Sequence, residues 1–149
     1  MFKRVLILAE WATAPRIVSW VRRLLTPEGG DVRLLAVLPP ARAVVADGRT
    51  VVSADRDEDG RRRATEFAFD STVLRLRQDG LGASAEVRFG EPVTTLLRTA
   101  HEWRADAIAV ALTPLHGWRQ WLSIPVADDI LERSPVPVLV ARARGQRSA

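Results

Sequence analysis

A chain of 149 residues is the size of one ordinary domain, and such a domain buries roughly 70% of its unfolded surface, enough for a core without staples. It has no cysteine and only two histidines, His101 and His116, which excludes disulfides, thiolate metal sites and a histidine-rich metal centre and leaves only a carboxylate site open. Twenty-two basic residues against 18 acidic ones give a net charge of +4, and Lys3 is the sole lysine.

Short apolar runs alternate with longer amphipathic ones, the pattern of βαβ units around a parallel sheet. Val5 to Ala9 is the first strand. It shows no polar alternation, as expected when helices cover both faces. Thr13 is placed to cap the next helix, with Pro15 in its first turn. Ile17, Val18, Val21, Leu24 and Leu25 recur at helical spacing on its inner face. Thr26-Pro27-Glu28-Gly29-Gly30 stops it.

Val32 to Leu38 is the second strand, ended by Pro39-Pro40. Between residues 39 and 55, Asp47-Gly48 stands between β-branched pairs, a hairpin signal because both residues suit positive φ. A loose crossover loop is the equal alternative. A long charged helix follows, from about Ser53 to Asp79, with Gly60 as a second possible start. Ala64, Phe67, Ser71 and Leu74 share one of its faces; Phe69, Val73, Leu76 and Gly80 continue a neighbouring one.

Ala83 to Phe89 alternates apolar and polar residues, which places this third strand at a sheet edge. Gly90-Glu91-Pro92 opens the third helix, lined by Val93, Leu96, Leu97, Ala100 and Trp103. Asp106 to Leu112 is the fourth strand. An irregular loop runs from Thr113 to Leu122. Ser123 is expected to cap the last helix, with Asp128 and Asp129 near its positive end. Ser134-Pro135 stops that helix, and Val136 to Val140 is the fifth strand.

Right-handed crossovers then give a doubly wound five-stranded parallel sheet of order 3-2-1-4-5, helices on both faces. A binding crevice is expected at the carboxyl ends of strands one and four. Residues 1–142 form the domain, and 143–149 a basic tail expected to be disordered. The clusters Arg61-Arg62-Arg63 and Arg142, Arg144, Arg147 read as a solvated helix face and a frayed terminus. No groove-reading element accompanies them, so no nucleic-acid partner is expected. No apolar run reaches the roughly 18–20 residues of a membrane span. The run after Arg4 is too short for a signal peptide, so a cytoplasmic protein is expected.

Three segments together resemble the universal stress protein family: Lys3 to Glu10, Gly90-Glu91-Pro92 with its helix through Val110, and Val126 to Val140 with its Pro-Val-Pro-Val-Leu-Val close. The resemblance covers nearly the whole chain. It implies a nucleotide crevice, which ATP-binding members build with Gly-x2-Gly-x9-Gly-Ser/Thr. Glycine there lets backbone N–H groups reach the phosphates. The matching positions here are Ala111, Pro114, Ile124 and Pro125; none is glycine, and the prolines lack donors. Gly117 is the one glycine left between Gly90 and Gly145. ATP of the usual family type is therefore not expected, and no cofactor is assigned.

Candidate crevice residues are Glu10, Trp11, Leu38, Leu112, Thr113, Gly117 and Ser123. Glu10 takes the place of the family's usual aspartate and would crowd an adenosine. Trp11 either stacks on a ligand or plugs the crevice, the plug being favoured. Ser123 caps more readily than it replaces the lost hydroxyl. His116, Trp118, Arg119 and Trp121 form a candidate partner loop; the equal alternative is that the indoles fold back over the sheet.

No nucleophile–base–orienter set, phosphate-binding loop or receiver-type acid cluster is present. The expectation is a non-enzymatic protein acting through protein contacts. It is expected to be a homodimer through the edge residues Val136, Val138, Leu139 and Val140. A nucleotide or small-ligand binder with another loop geometry is the second reading. It would use Arg16, Arg119 and amides near Gly117. A slow nucleotide hydrolase is third.

Overall fold

The computed structural model describes residues 1–9, 14–40, 44–112 and 124–142. Among the described residues, four helices and seven strands follow one another: β1 (Arg4–Leu8), α1 (Ala14–Val21), β2 (Asp31–Leu38), β3 (Val44–Ala46), β4 (Arg49–Val52), α2 (Ala54–Gln78), β5 (Gly82–Phe89), α3 (Pro92–Trp103), β6 (Ala107–Leu112), α4 (Ile124–Arg133) and β7 (Val138–Arg142). A single 3-10 turn, Arg22–Leu24, continues α1.

The main sheet has the order β5-β2-β1-β6-β7. Every neighbouring pair in it is parallel. With the hairpin strands set aside, this is the order 3-2-1-4-5, with the winding reversed beside β1. Leu6, Ile7 and Ile108 are wholly buried, since helices press on both faces of the central strands.

Two cores result. One lies under α1 and α2 and includes Ile17, Val21, Leu34, Phe69, Leu76 and Ala109. The other lies under α3 and α4 and includes Leu6, Leu35, Leu96, Ile108 and Ile130. Strand alternation divides side chains between them: Leu139 and Ala141 join the first, Val138 and Val140 the second. The third strand is at an edge, as its alternation required.

Residues 44–52 form the hairpin. Asp47 and Gly48 take φ of 50° and 72°, the double positive that a type I′ turn needs. Helix α2 starts before Gly60, because the Ser53 side chain accepts from the Arg56 N–H at 3.3 Å. Asp55 and Asp57 in the first turn also suit the positive helix end. Its buried side chains are Phe69, Val73 and Leu76. The other apolar face is open: Phe67 is 79% exposed.

Three expectations are corrected. The fifth strand begins at Val138, so Val136 precedes it; Pro137 brings no N–H to the ladder. Asp128 and Asp129 lie beyond the first turn of α4. Asp129 pairs with Arg133 one turn on, at 3.3 Å. Arg61 and Arg62 are not on a solvated face. Consecutive helix residues diverge by about 100°, so three in a row cannot share one side.

Candidate functional site

The carboxyl ends of β1 and β6 lie side by side, with Ile7 opposite Ala109 and Leu8 opposite Val110. The Ala9 N–H donates to Leu35 C=O at 3.1 Å, which ties the exit of β1 to β2. The winding reverses here: the chain leaves β1 toward β2 on one face and leaves β6 toward β7 on the other. Such a reversal opens a crevice at the sheet's carboxyl end. Leu38 ends β2 and Leu112 ends β6, with β1 between them, so the fold brings these two candidates to one rim. Glu10, Trp11, Thr113, His116, Gly117, Trp118, Arg119, Trp121 and Ser123 lie outside the described residues.

Ala111, which the sequence matches to the first motif position, is 3% exposed and belongs to the α1/α2 core. Its methyl group fills space a glycine would leave open. Pro125 is the second residue of α4, a favourable place for a proline, but one without a donor for an anion.

The start of α3 also opens at this end. Glu91 caps it from within, accepting from the Val93 N–H at 3.1 Å and the Thr94 N–H at 2.7 Å. Hydrogen bonding from the Thr94 side chain is the largest influence holding this carboxyl below its ordinary value. The Thr94 and Val93 amides add to the lowering, while desolvation opposes it. The helix dipole is thus already matched by an internal carboxylate.

Beside this rim stand the two arginines the sequence left on a solvated face. Arg61 donates to Pro39 C=O at 2.9 Å, and Arg62 to Val87 C=O at 2.8 Å. Both guanidinium carbons lie 5.3 Å from the Phe89 ring centroid. They fasten α2 to the carboxyl ends of β2 and β5. The detectable signal was the spread of three arginines over more than half a helical turn.

The sheet ends in two edges, β5 and β7; β7 is paired on one side only, with β6. Ile108 N–H donates to Pro137 C=O at 2.9 Å. In a parallel ladder a residue's N–H and C=O turn to the same neighbour. The position where proline lacks a donor therefore faces β6, and the outward-turning backbone groups belong to Val138 and Val140.

Among the described residues, no helix is long and apolar enough to cross a membrane. No group of three or more histidine, aspartate or glutamate side chains among them could hold a metal ion. A depression of about 390 Å³ lies away from the crevice, at the amino end of the sheet, and is lined by Met1, Arg22, Thr26, Glu28 and Asp79. The Arg22–Asp79 ion pair, at 2.9 Å, lies within it.

Fold and rim together define a doubly wound α/β domain of the kind that places ligands at a switch point. The universal stress protein family matches residues 1–142, and the chain belongs to that family. Universal stress protein UspA from Lactobacillus plantarum superposes with a TM-score of 0.70 at 14% identity, covering 94% of this chain and 97% of that one. A universal stress protein family member from Burkholderia pseudomallei gives 0.68 at 18% identity, covering 95% and 96%. A universal stress protein in complex with cAMP gives 0.63 at 16% identity, covering 95% and 97%. No curated protein sequence matches the chain.

Proposed function

We propose that this chain is a non-enzymatic universal stress protein of the cytoplasm that works as a homodimer through protein contacts, without ATP of the usual family type. The observation that carries this reading is the buried methyl of Ala111 where an ATP-binding member has glycine. Pro114, Ile124 and Pro125 stand at the remaining motif positions. Backbone amides cannot close on a triphosphate past side chains or from prolines. The internally capped start of α3 supports the same reading.

The dimer rests on β7. Its outward N–H and C=O groups at Val138 and Val140 need partners, and an antiparallel copy of the same strand supplies them. Leu139 and the preceding Val136 add apolar surface beside that edge.

The similarity to a protein solved with cAMP favours one second reading, a small-nucleotide binder. The ligand would sit among Glu10, Trp11, Leu38, Leu112, Thr113, Gly117 and Ser123. Thermal unfolding with ATP, AMP and cAMP separates the two. A ligand at one hundred times its dissociation constant stabilises by about 2.7 kcal/mol. No shift at millimolar ligand is expected. A shift with cAMP or AMP alone would replace the first reading by the second, and one with ATP would overturn the motif argument. Light scattering after size exclusion is expected to give twice the chain mass.

A further inference from the structure

We infer that Trp20 and Leu131 form a two-sided clamp that holds a second copy of this chain along β7. The inference rests on the homodimer reading and adds to it the residues that would stabilise the pair.

Helix α1 buries Ala14, Ile17, Val18 and Val21. Pro15, Ser19 and Arg22 lie on one flank, where with Ser71, Thr72 and Arg75 of α2 they line a groove of about 210 Å³. Trp20 follows Ser19 by about 100° of helical turn, which carries it to the opposite flank. Helix α2 packs over β5, and α1 over β1 and β6. The flank away from α2 therefore looks toward β6 and β7. Trp20 is 50% exposed there, on the face of the sheet where Leu139 emerges.

The other face repeats the arrangement. Helix α4 buries Ala127 and Ile130 and packs against α3, β6 and β7. Val126, on one flank, is half-buried in the α3/α4 core. Leu131 stands on the other flank, 49% exposed. Since α3 lies inboard of α4, the Leu131 flank overhangs the free edge. The opposite faces of β7 are thus flanked by one half-exposed apolar side chain each. The other large exposed apolar residues among those described, Met1, Phe67 and Leu74, belong to the amino end and to α2.

A second copy suits this edge better than an unrelated strand. An antiparallel pairing of β7 with itself, continuing the sheet, has its two-fold axis perpendicular to the sheet. That axis keeps each face against the same face of the other copy, so both indoles fall on one side and both leucines on the other. A five-residue strand edge alone covers much less than the roughly 800 Å² per partner of a stable interface. Apolar groups flanking the edge must supply the rest, and large aromatic side chains are the usual anchors.

The test is sedimentation equilibrium on the full chain and on Trp20→Ala, Leu131→Ala and Phe67→Ala, with circular dichroism at the same concentrations to establish folding. Each clamp variant should raise the dimer dissociation constant at least about tenfold, and Phe67→Ala should leave it unchanged. A wild-type dimer that neither clamp variant weakens overturns the clamp while leaving the dimer. A monomeric wild type at millimolar concentration overturns both. Hydroxyl-radical footprinting of the unmodified chain across a dilution series gives a readout independent of any variant's folding. Trp20 and Leu131 should gain protection as concentration rises, and Phe67 should not; equal reactivity at all concentrations would sink the clamp.

Discussion

The guanidinium carbon of Arg33, on β2, lies 4.8 Å from the centroid of the Trp103 ring at the end of α3. Around that contact the α3 side of the sheet is laced by charge. Arg33 donates to Ser84 at 3.1 Å and pairs with Glu86 at 3.4 Å. Arg88 bridges Glu86 and Glu102, each at 2.7 Å. Arg4 reaches the Trp103 C=O at 3.1 Å. The indole thus serves as the apolar floor of a network that joins β1, β2, β5 and α3.

Trp103→Ala removes both the ring and its cation contacts. It should cost about 2 kcal/mol, less than a wholly buried tryptophan because the ring is half-buried. Arg33→Met keeps the packing stem and should cost about 1 kcal/mol. Urea unfolding midpoints measure both, and a loss for Trp103→Ala with none for Arg33→Met would show that packing alone matters.

Glu91→Ala removes the α3 cap and should cost about 1 kcal/mol near neutral pH. The carboxyl is held below its ordinary value of 4.5 in the fold. A lowered folded value means that the contribution is present above the unfolded value and is lost as pH falls through the folded one. The stability gap between wild type and Glu91→Ala should therefore narrow below about pH 4.5. A gap that stays constant down to pH 3 would refute the assignment.

Phe67 and Phe69 are two residues apart on α2, with opposite fates. Phe69 is wholly buried in the α1/α2 core, so Phe69→Ala should cost about 3–5 kcal/mol. Phe67→Ala should fall within about 0.5 kcal/mol of wild type. Similar losses for the two would mean that α2 is rotated from the orientation described.

Gly30 precedes β2 in a tight place. A methyl group there would meet the Lys3 carbonyl oxygen and Leu25 Cδ2, both at 2.9 Å. The backbone oxygen cannot swing away, so Gly30→Ala should cost about 1–3 kcal/mol. At Gly82 the added methyl would clash with the Asp31 side chain, which can rotate into solvent, and would lie at an ordinary 3.6 Å from the Asp31 Cα. Gly82→Ala should stay within about 1 kcal/mol of wild type, and thermal unfolding of the pair compares them directly.

Much of the architecture is legible in the sequence, for local reasons. Unbroken apolar strands marked a sheet covered on both faces. Gly90-Glu91-Pro92 marked a helix start, and the polar alternation of Ala83 to Phe89 marked an edge. The Asp47-Gly48 pair left hairpin and loop equally open, and pairing of the flanking strands decided it. The crevice was legible only as a location: Leu38 and Leu112 reach its rim, while most of the candidates lie outside the described residues.

By itself the sequence determined which segments become strands and helices, in what order they wind, and that no cysteine or histidine cluster takes part. Periodicity and caps are short-range, so each is written within a few residues. Tertiary structure alone decided which of α2's two apolar faces is buried and where Arg61 and Arg62 find carbonyl partners. It also decided that Trp20 and Leu131 stay half-exposed on helices that cover opposite faces of the sheet. Those facts depend on which element lies next to which, and neighbours in space are chosen by the packing of the whole sheet.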